Sequence, residues 1–110
     1  MDKNFGLKGT DLENIISVIS QHPEVEEAYI FGSRALGNFK RGSDVDIALK
    51  GEKLNFEITT HIGYLLNEET IMPYKFDVLN YHTINNTDLS RHIDRVGIDF
   101  FTRQSIRPTP

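Results

Sequence analysis

Phe31-Gly32-Ser33-Arg34-Ala35-Leu36-Gly37, continued by Gly42-Ser43-Asp44-Val45-Asp46-Ile47-Ala48-Leu49, is the stretch from which the architecture of this 110-residue chain follows. The apolar run Ala28-Tyr29-Ile30-Phe31 is β-branched and aromatic and stops at Gly32, as a buried strand ending in a tight turn does. Ser33 offers a hydroxyl suited to a helix N-cap, Arg34, Ala35 and Leu36 are good helix formers, and Gly37 is placed to end the turn. A helix start presents free N–H groups and the positive end of a dipole, so phosphate is favoured there. Gly32 leaves room for close approach, and Ser33 adds a donor.

After ten intervening residues a second strand begins at Asp44. Its alternation sends Val45, Ile47 and Leu49 to one face and Asp44, Asp46 and Ala48 to the other. Two carboxylates then share a side, roughly 6.5–7 Å apart along the backbone. At about 5 Å separation and an effective dielectric of ~20, two such charges repel by roughly 3 kcal/mol. A cation between them removes that cost, and hard oxygen donors beside a phosphate site favour Mg²⁺, with Mn²⁺ as a substitute. Further along, Lys75-Phe76-Asp77-Val78-Leu79-Asn80 follows the turn Met72-Pro73-Tyr74 and reads as another strand, with Asp77 its only acid. Laid beside the first, it brings a third carboxylate to the site.

With these residues the chain resembles the DNA polymerase β-like nucleotidyltransferases, and among them the minimal (MNT) proteins. The resemblance covers about residues 10–100, and its specific part is confined to 31–49 and 77. It implies a nucleotidyltransferase fold: α/β (α+β), a small mixed β-sheet with helices packed on it, as one domain over 1–110. It also implies Asp44, Asp46 and Asp77 as catalytic and metal-holding acids, two Mg²⁺ ions, and Gly32, Ser33 and Arg34 as the nucleotide-binding turn. Asp77 would take the proton of an attacking hydroxyl. The implied reaction moves a nucleoside monophosphate, AMP from ATP or the equivalent from another nucleoside triphosphate, to a hydroxyl. Minimal members commonly pair with a separate HEPN-domain protein in toxin–antitoxin systems, so the implied acceptor is a tyrosine of a HEPN toxin and the chain an antitoxin, working in a homo- or hetero-oligomer. The family often carries Arg where this chain has Leu36, a departure that touches a phosphate contact and leaves the acids in place. Two other readings stand beside this one: a non-catalytic module that neutralises its partner by binding, and a nucleotidyltransferase for a small acceptor of the aminoglycoside kind. Against the latter, the chain encodes no acceptor-binding domain.

Composition agrees with one small soluble core, burying about 60–70% of the unfolded surface. Net charge is −4, the hydrophobic fraction 38%, and there is no cysteine, which excludes disulfides and thiolate metal sites. With 12 Lys and Arg against 16 Asp and Glu, tight nucleic-acid binding is not expected. Arg34, Lys40 and Arg41 form a local exception that could steer or clamp a triphosphate. No signal sequence or long apolar run is present, which predicts a cytoplasmic protein with no membrane association.

The remaining segments read as scaffold. Thr10-Asp11-Leu12-Glu13 is a capping box for a helix carrying Leu12, Ile15, Ile16 and Ile19 on one face until Pro23. A second helix begins near Leu54 or Asn55, with Ile58, Ile62, Leu65 and Leu66 in one stripe and an exit at Asn67-Glu68-Glu69. A last helix spans 87–96 with Leu89, Ile93 and Val96 inward and Gly97 as its stop, and Ile98-Asp99-Phe100-Phe101 adds a final strand. The Asn85-Asn86-Thr87 sequon is a chance triplet in a turn, and Pro108-Thr109-Pro110 is expected to fray. His22, His61, His82 and His92 lack metal-ligand or triad spacing and read as surface or structural residues. Ser33 lacks the second glycine of a nucleophile elbow.

Overall fold

A computed structural model of the chain describes residues 5–103; the expected fraying at 108–110 lies outside them. The elements run α1 (Asp11–Ser20), β1 (Glu27–Phe31), α2 (Gly32–Leu36), β2 (Val45–Lys50), α3 (Phe56–Glu68), β3 (Phe76–Asn80), a 3₁₀ turn (Tyr81–Thr83), α4 (Thr87–Val96) and β4 (Ile98–Thr102). The four strands form one sheet in the order β3-β2-β1-β4. β1 lies antiparallel to both β2 and β4, while β2 and β3 are parallel, joined by α3 as the crossover. The sheet is therefore mixed, as the pattern of elements implied.

The alternation in β2 sorts the two faces. Val45, Ile47 and Leu49 are fully buried with Ala28 and Ile30 of β1, under Ile15 and Ile19 of α1 and Ile62 and Leu66 of α3. The opposite face holds a smaller cluster in which Phe31, Ala48 and Ile93 are buried, with Tyr29, Leu79, Tyr81, Leu89 and Val96 packed around them. Ala48, which the alternation places on the face of the acids, is covered by α4. Its small side chain lets the helix approach the sheet, so the second face is not left bare. At the far end of this face the Lys50 ammonium lies 4.8 Å from the Tyr29 ring centroid and 4.5 Å from that of Tyr81.

Helix starts follow local chemistry in two cases and depart from it in another. Asn55 caps α3 by accepting from the Ile58 amide at 2.8 Å, and Asn86 caps α4 by accepting from Leu89 at 3.2 Å. Asn86 of the sequon thus serves as a cap. The capping box at Thr10 is not made: Thr10 has helical dihedrals and its side chain caps nothing. Asp11 organises this end instead, accepting from the Lys8 amide at 3.0 Å and from the Tyr74 hydroxyl at 2.6 Å. Burial and this bond to Asp11 push the Tyr74 hydroxyl pKa up. Arg103 closes the molecule by donating to the carbonyls of Val25, Ser20 and His22, which ties the end of β4 to the α1–β1 loop.

Candidate active site

β1, β2 and β3 meet at one corner of the sheet because of their pairing register. Phe31, the last residue of β1, faces Asp46 across the antiparallel pair, and Asp46 faces Asp77 across the parallel one. Register partners project to the same side of a sheet, so Asp46 sits between an aromatic ring and a second carboxylate. Asp44 precedes β2 by one residue and is exposed, as is Asp77, while Asp46 is half-buried.

The turn comes directly onto these acids. Gly32 has φ of +74°, a left-handed value that glycine adopts freely, and a methyl group built on its Cα would fall on the Asp46 Oδ2. Both facts require glycine here. α2 begins at Gly32, so Phe31 in extended conformation occupies the cap position, two residues before the expected cap, and Ser33 does not cap. Among the described residues the Ser33 hydroxyl makes no hydrogen bond, which leaves it available to a ligand. Gly37, with φ of +89°, ends the helix as expected and donates its amide to Ser33 O at 2.9 Å.

Electrostatics single out Asp46. Burial, the charge of Asp77 and the charge of Asp44 raise its pKa from 3.8 to about 6, against a smaller opposing effect of Arg34. All three acids offer hard oxygen donors, and the strain on Asp46 is the kind a divalent cation relieves. The donor chemistry therefore fits Mg²⁺. Among the described residues no three acidic or imidazole groups are already gathered closely enough to grip an ion, so the acids are a loose cluster rather than a preformed cage.

Arg34 is placed differently from an open phosphate contact. It is only 3% exposed. Its Nε and Nη2 donate to Ser43 O at 3.3 and 2.9 Å, and Nη1 donates to Phe5 O at 2.9 Å. The guanidinium lies 5.1 Å from the Phe39 ring centroid and 5.2 Å from that of Tyr74. Arg34 thereby pins the loop that delivers Asp44, with Ser43 Oγ accepting from the Lys40 amide at 2.8 Å. Lys40 and Arg41 are exposed on the same loop and line, with Lys8, Phe39 and Tyr74, a cavity of about 570 Å³ that includes none of the three acids.

One contact at the site is invisible in the sequence pattern. His92 of α4 accepts the Gly32 amide on its Nε2 at 3.1 Å, and its ring meets the Phe31 ring edge-on at 6.0 Å. Nothing in the spacing of a histidine 60 residues away could have signalled it.

A strand ending at Phe31, a short helix opening with Gly32-Ser33 and a following strand with paired acids lie within residues 13–106, which the family model for the polymerase β nucleotidyltransferase domain matches. The chain belongs to this family. No curated protein sequence matches it. Among solved structures, a toxin–antitoxin complex with AMP-PNP superposes with a TM-score of 0.71 at 22% identity, over 86% of this chain and 75% of that one. An MNT antitoxin bound to a tri-AMPylated HEPN toxin of Shewanella oneidensis gives 0.63 at 18% identity, over 84% and 70%. An MntA-HepT toxin–antitoxin structure gives 0.62 at 16%, over 87% and 74%. At these identities the likeness establishes the nucleotidyltransferase fold. Within that fold Leu36, 54% exposed, stands on the open side of α2. Among the described residues no helix is long and apolar enough to cross a membrane.

Proposed function

We propose that this nucleotidyltransferase-family protein is a Mg²⁺-dependent adenylyltransferase that modifies a tyrosine of a HEPN-domain toxin and so acts as its cytoplasmic antitoxin. The observation that carries the reading is the meeting of Gly32 with Asp46 at a corner where Asp77 is in register and Asp44 adjacent. Solved structures of similar fold support the choice of nucleotide and partner: one contains AMP-PNP, another an AMPylated HEPN toxin beside an MNT antitoxin.

Asp44, Asp46 and Asp77 would hold the ions, which when bound neutralise phosphate charge and favour the attacking and leaving oxygens. The amide of Gly32 and the hydroxyl of Ser33 would orient the phosphates, while Arg34 keeps the Asp44 loop in place. The acceptor hydroxyl oxygen forms a bond to the α-phosphorus as the α-phosphorus–oxygen bond to the β-phosphate breaks. Pyrophosphate leaves with that electron pair, and the hydroxyl proton passes to Asp77. Asp77 suits this role because it is exposed at the rim of the site.

Incubating the protein with ATP, Mg²⁺ and a HEPN-domain partner, followed by mass spectrometry, should show an AMP adduct on a partner tyrosine. Asp44→Asn should abolish it in a folded protein. The loose acidic cluster and the Leu36 departure favour a second reading, in which the chain neutralises its partner by binding alone. Suppression of the partner by Asp44→Asn at wild-type strength would select that reading.

A further inference from the structure

The Gly32 amide, which the proposed reaction assigns to a phosphate, is already engaged in the free protein. His92 Nε2 accepts it at 3.1 Å from α4, a helix that supplies none of the acids. Accepting from an N–H requires a lone pair on Nε2, so the imidazole is neutral at that nitrogen and places electron density where a phosphate oxygen would have to sit. Two acceptors cannot share one amide hydrogen with good geometry at full strength. The ring is steadied by its edge-on contact with Phe31, and α4 is held to the sheet by Ile93, the next residue.

We propose that His92 is a nucleotide-affinity determinant: it occupies the Gly32 amide in the free protein, and the phosphate must displace it to bind. This inference rests on the nucleotide reading of the site. A competing internal acceptor lowers apparent affinity by the fraction of molecules in which the amide is taken. One hydrogen bond of ordinary net strength corresponds to about a two- to tenfold effect on the dissociation constant. The same contact ties α4 to the β1–α2 turn, so its loss weakens the free protein. His92 thus has opposite consequences for stability and for affinity, a combination that a merely structural residue does not give.

The test is calorimetric titration of the full chain with AMP-PNP and Mg²⁺, together with thermal unfolding without nucleotide. His92→Ala is expected to melt below wild type and to bind about two- to tenfold more tightly. His92→Gln, whose carbonyl oxygen can accept the same amide, is expected to restore near-wild-type affinity. Imidazole ¹⁵N spectra of the wild type should show Nε2 leaving its acceptor state as AMP-PNP saturates the site, a readout that holds even if His92→Ala fails to fold. Wild-type binding with an unchanged Nε2 signal, or with His92→Ala equal or weaker, overturns the displacement role alone. Absence of binding by wild type and variants alike overturns the nucleotide reading and this inference with it.

Discussion

The two faces of the sheet are built from the same strands and differ in what covers them. On one, Val45, Ile47 and Leu49 disappear completely beneath α1 and α3. On the other, α4 buries only Phe31, Ala48 and Ile93, and the rest of that face carries half-exposed tyrosines, Lys50, His92 and the acids. The acids, Gly32 and His92 all gather on the thinly covered side. A carboxylate such as Asp46 can be half-desolvated there and still be reached by a ligand, which the dry face would not permit. The fold separates the side that holds it together from the side that reacts.

That separation is sharpest where chemistry is removed without touching packing. Asp44→Asn and Asp77→Asn should each lower AMP transfer about a thousandfold or more, the several kcal/mol that a bound cation and a positioned base supply, while melting within a few degrees of wild type. A large loss of stability in either would show that the reacting face also carries the fold. The converse variants lie in the two cores. Ile47→Ala should cost about 3–4 kcal/mol in denaturant unfolding and Ile93→Ala about 2, since the thin face can relax around the smaller cavity. Equal costs would erase the contrast.

Gly32→Ala tests the join between the faces. A side chain at φ of +74° aimed at Asp46 should destabilise the protein by about 1–3 kcal/mol and displace the carboxylate, seen as unfolding at lower denaturant and loss of transfer. The smallest effect concerns pH. The folded-state pKa of Asp46, about 6, lies above its ordinary 3.8, so between those values the folded protein keeps a proton that the unfolded chain has released. The associated stability is present below about pH 4 and lost as pH rises through about 6. Solvent screening of a half-exposed group reduces it to about 1 kcal/mol. In a chelator, wild type should lose this increment across that window and Asp46→Asn should not. A wild-type profile flat over the same range would contradict the crowding of acids around Asp46.

Much of this arrangement could be read from the chain because it depends on neighbours in sequence. The β2 alternation, the Gly32 and Gly37 punctuation and the inward stripe of 87–96 are local patterns, and the elements formed where they placed them. Asp77 was legible as the only acid of its strand. What escaped the sequence depends on distant partners. Thr10 does not cap, and the start of α1 is instead organised by Asp11, which accepts from Tyr74, 63 residues away. Arg34 looks like a phosphate ligand until Phe39 and Tyr74 enclose its guanidinium and Ser43 takes its donors. Ser33 does not cap because the helix starts two residues earlier, with Phe31 at the cap and Gly32 pressed against Asp46. His92 enters only once α4 is laid across the second face.

The claim that the corner formed by Gly32, Asp46 and Asp77 is a catalytic centre is tested most directly by Asp46→Asn. Purified wild type and variant, matched for folding, would be incubated with ATP, Mg²⁺ and the HEPN partner, and the partner's mass read over time. AMP on a tyrosine is expected with wild type and none with the variant. An adduct formed equally well by Asp46→Asn would contradict it.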